Sequence, residues 1–326
     1  MSKLYPLKFQ SILKDKIWGG HKLELLLNKE ISPLPNAGES WEISGVPGNV
    51  SVVSNGFLAG NSLSEIIEIY MGDLVGDKVF QKFGEEFPLL IKFIDANNVL
   101  SIQVHPDDEL AKERHNSFGK TEMWYVMQAD KGAQLISGFS KELNRDEYVS
   151  KLNSNELESI MASHEVAPGD VFFIPAGRVH AIGKGILLAE IQQTSDVTYR
   201  IYDFNRKDDK GNTRELHTDE ALDAIDYTYV AEPKTKYTVD PNKVNEVVKC
   251  DYFTTNVLEL DQTVKKDFYG LDSFLIYMCV EGKAEIVYNG DELETILMGE
   301  TVLIPADLKE INIKPEGKAR LIEVHL

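Results

Sequence analysis

The sequence predicts a mainly β protein built from two related β modules, the first carrying helical insertions. Three observations lead there: short alternating or apolar runs dominate the chain, helical signals are few, and one strand-and-turn motif occurs twice.

Taken in order, the strand candidates begin with GNVSVVSNG (48–56), FPLLIKFIDA (87–96), VLSIQVH (99–105), EMWYVMQA (122–129) and GAQLISGF (132–139). GDVFFIPAG (169–177), ILLAEIQQ (186–193), FLIYMCVEGKAEIVYNG (274–290) and ARLIEVHL (319–326) follow. Each is rich in β-branched and aromatic residues, and Gly, Pro, Asn and Asp punctuate them. The helical candidates are SLSEIIEIYMGDLVG (62–76), with a serine start, and DDELAKERH (107–115), which Asp107 or Asp108 can cap. SKELNRDEYVSKLNSNELESIMAS (140–163) and TDEALDAIDY (218–227) complete the set. These helices read as insertions decorating sheets.

The repeat aligns GDVFFIPAGRVHAI (169–182) with GETVLIPADLKEIN (299–312) without gaps. A strand pair with a glycine turn precedes each copy, MQADKGAQLI in the first and MCVEGKAEIV in the second. The polar segment AEPKTKYTVDP (231–241) reads as the linker, which divides the chain into residues 1–232 and 233–326. The copies differ where chemistry would sit: Glu310 stands in place of His180, and the second copy's only histidine is His325. The expectation is one chemically active module and one structural, metal-free module on the same plan.

At 326 residues the chain can bury a substantial core without staples. Cys250 and Cys279 fall in no metal-ligand spacing and suggest no disulfide framework, which fits a reducing cytosol. The N-terminus lacks an apolar signal region and no stretch approaches a membrane-spanning length, so a soluble, cytoplasmic protein is expected. A formal charge of −19 argues against nucleic-acid and anionic-membrane partners. An anionic small substrate would need a local basic pocket, for which Lys92, Lys120, Arg178 and Arg200 are candidates because they lie in apolar, strand-like surroundings. Oligomeric state is not legible.

The chemistry starts at LSIQVHPDDELAK (100–112). Strand alternation puts Gln103 and His105 on one face and Ile102 and Val104 on the other, so two potential ligands stand side by side. On that stretch alone, a satisfied histidine before an ordinary helix start is the favoured reading. His21, His115, His164, His217 and His325 have no companions at ligand spacing and read as surface or packing residues.

GD-x-FFIPAG-x-x-H resembles the second half-motif of the cupin family of double-sheet, jelly-roll barrels. The resemblance implies two cupin barrels, with His180 pointing into the mouth of the first and binding metal. The comparable first half-motif is Gln103, His105 and, seventeen residues after His105, Glu122. One amide oxygen, two imidazoles and one carboxylate suit zinc, although Gln is a rare ligand and Fe or Mn is chemically conceivable. A divalent ion held by one carboxylate leaves a net positive Lewis acid suited to polarising a carbonyl or hydroxyl.

SIQVHPDDELA, GKTEMWYV, GDVFFIPAGRVHAIGKGILLAEIQQTSDVTYRIYDFNR and the early IWGG together resemble the type I phosphomannose isomerases in their short bacterial form, from about Leu4 to the C-terminus. The resemblance implies interconversion of D-mannose 6-phosphate and D-fructose 6-phosphate with one Zn2+ per chain. It assigns Gln103, His105, Glu122 and His180 as ligands, and Arg200 as the active-site arginine. Lys120, Glu190, Trp18 and Ser101 match other pocket positions. Phosphate contacts drawn from the helical region of longer relatives do not transfer, because this chain is too short to hold it. Moving a carbonyl between C1 and C2 requires removing a proton, stabilising an enediolate and returning the proton. Arg200 can meet the enediolate charge; Lys120, with a metal lowering its pKa, and Glu190 are rival bases. Two other classes compete with this reading: an Fe(II) dioxygenase of the cupin type, and a regulatory protein that only binds a sugar phosphate.

Overall fold

The computed structural model describes residues 3–207 and 210–326. Its first part runs β1 (Ile12–Lys14), α1 (Lys22–Leu27), β2 (Glu39–Ser44), α2 (Leu63–Tyr70), α3 (Gly72–Val75), α4 (Asp77–Phe83), β3 (Leu89–Ala96) and β4 (Ile102–Val104). It continues through α5 (Asp108–His115), β5 (Glu122–Ala129), β6 (Gln134–Phe139), α6 (Arg145–Asn153), a 3-10 turn (Leu157–Ile160), β7 (Met161–Glu165) and β8 (Val171–Ile174). Next come β9 (His180–Ala181), β10 (Ile186–Gln193), β11 (Tyr199–Tyr202) and α7 (Thr218–Ala224). The last part is all strand: β12 (Asn245–Lys249), β13 (Thr254–Leu260), β14 (Val264–Asp267), β15 (Leu275–Tyr288), β16 (Glu292–Leu297), β17 (Thr301–Ile304) and β18 (Glu310–His325). The protein is mainly β, and the strand pairs within its sheets are antiparallel.

Two sheets make the first part. One has the order β1-β2-β3-β10-β5-β8 and the other β11-β4-β9-β6-β7. They pack face to face through a cluster that joins Ile94, Trp124 and Leu188 of the first sheet to Leu135 of the second. Every residue of β3 and β10 is buried, so their few polar side chains, Lys92, Asp95, Glu190, Gln192 and Gln193, are buried among apolar ones. A seven-stranded sheet forms the last part. Its contact with the first part includes a two-way backbone bridge between Leu7 and Leu303. The largest core cluster runs through both, from Leu7 and Ile91 to Ile276 and Ile322.

Local signals explain the helices. Ser62 and Glu65 form a reciprocal capping box that starts α2. Asp107 accepts from the Leu110 N–H to start α5, and Asn116 in the left-handed region ends it.

Several element expectations change. GNVSVVSNG forms only isolated bridges, Phe9 to Val53 and Val52 to Ser62, because its backbone groups pair with loops, such as Val53 N–H with Asn61 O. Segment 140–163 is helical only over Arg145–Asn153; Asn155 turns left-handed, and Met161 opens β7 against β6. α1 and α4 carried no clear sequence signal. MCVEGKAEIV is one continuous strand rather than a turn: β15 shifts register around Cys279 and Gly282 while its ladder to β18 continues. The first-copy glycine, Gly132, does turn the chain between β5 and β6.

The repeat survives in three dimensions. His180 opens β9 and Glu310 opens β18, each after a short strand that ends at the Ile of an Ile-Pro-Ala segment. Glu310 is partly exposed and pairs with Lys265.

Candidate active site and metal centre

Strand register assembles the site. Gln103 of β4 lies directly opposite His180 of β9 on one side and Arg200 of β11 on the other, so all three project from one face of the five-stranded sheet. In the facing sheet, Glu190 of β10 stands opposite Lys92 of β3 and Trp124 of β5. Glu122, at the start of β5, reaches from that sheet to the histidines: Oε2 is 3.6 Å from His105 Nε2 and Oε1 is 3.4 Å from His180 Nε2. His105, Glu122 and His180 are buried and offer ligand atoms within 4.8 Å of one another.

The surroundings of the triad suit a cation. His105 Nδ1 donates to the Val197 carbonyl at 2.9 Å and His180 Nδ1 to the Arg178 carbonyl at 2.8 Å, which leaves each neutral ring a lone pair on Nε2. Buried Glu122 has Lys120 Nζ 3.2 Å from Oε2 as its cationic partner, and among the described residues its Oε1 faces only the His180 ring, a setting that has room for the charge of a further cation. Burial favours the neutral imidazoles, with Lys120 adding repulsion: His180 is lowered to about 3, and His105 falls well below its ordinary range. Burial and repulsion from Glu190 raise Glu122 to about 7 against the pull of Lys120 and Lys92. A divalent ion would reverse that last effect and hold Glu122 ionised.

Gln103 Nε2 lies 3.2 Å from His180 Nε2. Ligation by Gln103 needs only an amide rotation that turns its oxygen inward. Lys120 Nζ sits against the same cluster, 3.1 Å from His105 Nε2 and 3.2 Å from Glu122 Oε2.

Above the triad is a cavity of about 290 Å³ lined by Trp18, Ser101, Gln103, Lys120, Glu190 and Arg200, six of the residues singled out in the sequence. Arg178 does not line it, so that candidate cation is corrected: its side chain approaches Gly138 instead. The cavity also takes Lys92, one of the cations singled out in the sequence, and Trp41, along with Lys16, Glu39, Asp196 and Arg214, which sequence reading passed over. Among the described residues five cations and three carboxylates line it, an excess of positive charge in a chain of formal charge −19.

Glu190 is held at both oxygens, with Lys92 Nζ 3.0 Å from Oε1 and Trp124 Nε1–H donating to Oε2 at 2.9 Å. Burial alone would raise its pKa, yet Lys92 and Lys120 outweigh burial and hold it low. Lys92 also donates to Gln192 and lies 3.9 Å from Glu39, which pairs in turn with Lys16. Arg200 donates from Nη1 to the Glu215 carbonyl, and its backbone N–H donates to His217 Nδ1. His217 therefore has a companion that its sequence spacing did not reveal.

Fold and site together place the chain among cupin proteins that carry a metal-type ligand cluster between facing sheets. The model of the type I phosphomannose isomerase catalytic domain matches residues 6–136, and that of the mannose-6-phosphate isomerase cupin domain matches residues 243–326. Mannose-6-phosphate isomerase ManA of Bacillus subtilis is 34% identical over 330 residues, covering 98% of this chain and 99% of the relative. Mannose-6-phosphate isomerase of Streptococcus mutans is 34% identical over 321 residues, covering 98% of each. The crystal structure of the B. subtilis mannose 6-phosphate isomerase superposes with a TM-score of 0.89 at 32% identity, covering 99% of this chain and 100% of that one. The chain belongs to the type I mannose-6-phosphate isomerase family and is an isomerase of that family.

Proposed function

We propose that the chain is a zinc-dependent aldose–ketose isomerase that interconverts D-mannose 6-phosphate and D-fructose 6-phosphate through an enediolate. The observation that carries this is the buried His105–Glu122–His180 triad, whose ligand atoms lie within 4.8 Å of one another and whose imidazoles are held by backbone carbonyls. Gln103 is the fourth ligand in this reading. A zinc ion held there supplies Lewis acidity to a sugar oxygen.

The residues of the chain supply the remaining steps. Lys120 moves the proton between C1 and C2; its Nζ borders the triad, whereas both oxygens of the rival Glu190 are occupied. Arg200, one strand from Gln103, meets the developing enediolate charge with a guanidinium that stays protonated. Trp18 and Ser101 line the sugar cavity, and Glu190 with Lys92 fixes its wall. The catalytic unit in this reading is a cupin barrel over residues 1–232, with a second, metal-free cupin barrel over 233–326; the protein works in the cytoplasm.

A coupled assay tests the reading. Metal-stripped protein should lack mannose 6-phosphate isomerisation and regain it with one equivalent of Zn2+. Activity that survives complete metal removal would end the metal-dependent mechanism.

A further inference from the structure

The charge excess in the cavity is confined to one end. Toward the triad, each lysine has its own buried carboxylate: Lys120 faces Glu122 and Lys92 faces Glu190. At the other end, among the described residues, two guanidiniums share one carboxylate while a third, Arg200, has none. Asp203 accepts from Arg206 Nη2 and, side-on, from Arg214 Nε at 2.8 Å and Nη2 at 2.6 Å. Arg200, whose Nη1 donates to a backbone carbonyl, forms no ion pair with Asp203, Asp196 or Glu215. Its Nε is buried and has no hydrogen-bond partner among the described residues. Arg200 and Arg214 line the same cavity. They are also close in electrostatic terms: after burial, Arg214 is the strongest influence lowering the pKa of Arg200. Among the described residues, the guanidinium charge of Arg200, Arg206 and Arg214 exceeds what Asp203 neutralises, which suits an anionic group.

The position fits the substrate. A hexose 6-phosphate carries its phosphoryl group at the end opposite the reacting C1 and C2. Arg200 stands two strands from His180, about 10 Å at ordinary strand spacing. Arg214 follows β11 in sequence, and its side chain is a quarter exposed, so it belongs to the outer part of the cavity. A guanidinium fork matches phosphate oxygens, and Asp203 fixes the plane of this one.

We infer that Arg214, oriented by Asp203 and flanked by Arg200, is the residue of this chain that binds the phosphoryl group of the sugar. The inference rests on the isomerase reading and supplies the phosphate contact that the motifs left unassigned. Arg214 lies between the two segments matched by family models, 6–136 and 243–326.

The test uses Arg214→Ala and Arg214→Gln in metal-replete enzyme, with inorganic phosphate as the probe for the subsite. Both variants should raise KM for mannose 6-phosphate roughly 10–100-fold, the scale of one charge-assisted contact, with a far smaller change in kcat. Inhibition by inorganic phosphate should weaken by a similar factor, and the handicap should shrink sharply when unphosphorylated mannose is the substrate. Equal losses on both sugars, or unaltered phosphate inhibition, would overturn the assignment. Should the wild-type protein prove inactive on mannose 6-phosphate, the isomerase reading falls. Calorimetric titration of wild type and Arg214→Gln with inorganic phosphate would still decide the anion site, since equal affinities would refute it. Arg214→Gln keeps a hydrogen-bonding side chain next to Asp203, so the test survives if the alanine variant fails to fold.

Discussion

Gln103 and His180 are directly opposed across β4 and β9, and their Nε2 atoms are 3.2 Å apart. That pairing joins two half-motifs 77 residues apart in the chain. The helix α5 and the whole β5–β8 region lie between them in sequence, yet a single ladder position brings them to one point.

Removing a ligand should therefore cost metal before it costs fold. Glu122→Gln and His180→Ala are expected to purify with well under one equivalent of zinc and negligible isomerase activity while keeping the β-rich circular dichroism of the wild type. Metal analysis and a coupled assay on the same preparations check this. Stoichiometric, tightly held zinc in both variants would move the ion elsewhere.

Lys120 and Glu190 can be separated as bases. Lys120→Ala should retain zinc and lose roughly 10²–10⁴-fold in kcat, the usual scale of a positioned general base, with partial recovery by added small amines. Glu190→Gln leaves Lys92 beside a neutral amide and Glu39, and its main effect should be on stability. A larger kcat loss for Glu190→Gln than for Lys120→Ala would reverse the assignment.

The parts legible in the sequence were those set by period and punctuation. EMWYVMQA and ILLAEIQQ coincide with β5 and β10, since their β-branched and aromatic residues also fill the core. The cluster of His105, Glu122 and His180 was readable because short motifs carry it. What stayed hidden depends on pairing across distance. Nothing local marks Glu39, Lys92 and Glu190 as one ionic row, since β2, β3 and β10 become neighbours only in the sheet. Arg214 sits among charged loop residues whose pattern reads as solvated surface. GNVSVVSNG failed for the opposite reason: its alternation was real, but no strand lay alongside to complete a ladder.

That ionic row should shape acid stability. Burial would raise the Glu39 carboxyl, but Lys92 and Lys16 hold it at about 2, down from 4.5. A carboxyl depressed on folding contributes stability above its unfolded value and loses it as pH falls from about 4.5 toward 2. Urea midpoints of wild type and Glu39→Gln, both metal-stripped, should differ most at pH 6–7, with wild type the more stable, and draw together as pH falls from about 4.5 toward 2. A constant gap across that range would show that Glu39 acts through packing instead.

Gly282 tests whether β15 is a bulged strand or a turn. Its φ is +74°, and an added Cβ would meet the Lys318 carbonyl oxygen at 2.1 Å, a backbone atom that cannot swing aside. Gly282→Ala should destabilise the protein by at least about 1–3 kcal/mol in denaturant titration. Gly290→Ala is the control: its φ is also positive but its surroundings are open, so a smaller loss is expected. Equal losses would mean that strain alone, without the clash across β15 and β18, accounts for Gly282.

Arg200 carries the mechanistic prediction. It projects beside Gln103 from the face that bears His180, and its Nε has no hydrogen-bond partner among the described residues. If it stabilises the enediolate, Arg200→Ala should keep zinc near stoichiometric and lower kcat by roughly 10²–10³, the scale of losing one preorganised oxyanion donor. The KM change should be secondary and smaller than that of Arg214→Ala. A guanidinium that instead clamped the phosphoryl group equally in ground and transition states would show the reverse, a raised KM with kcat nearly kept. Arg200→Lys sharpens the contrast, because a point charge can hold phosphate but cannot reproduce a planar fork. Unchanged kcat in both variants would remove Arg200 from the chemistry and leave charge stabilisation to the metal and Lys120.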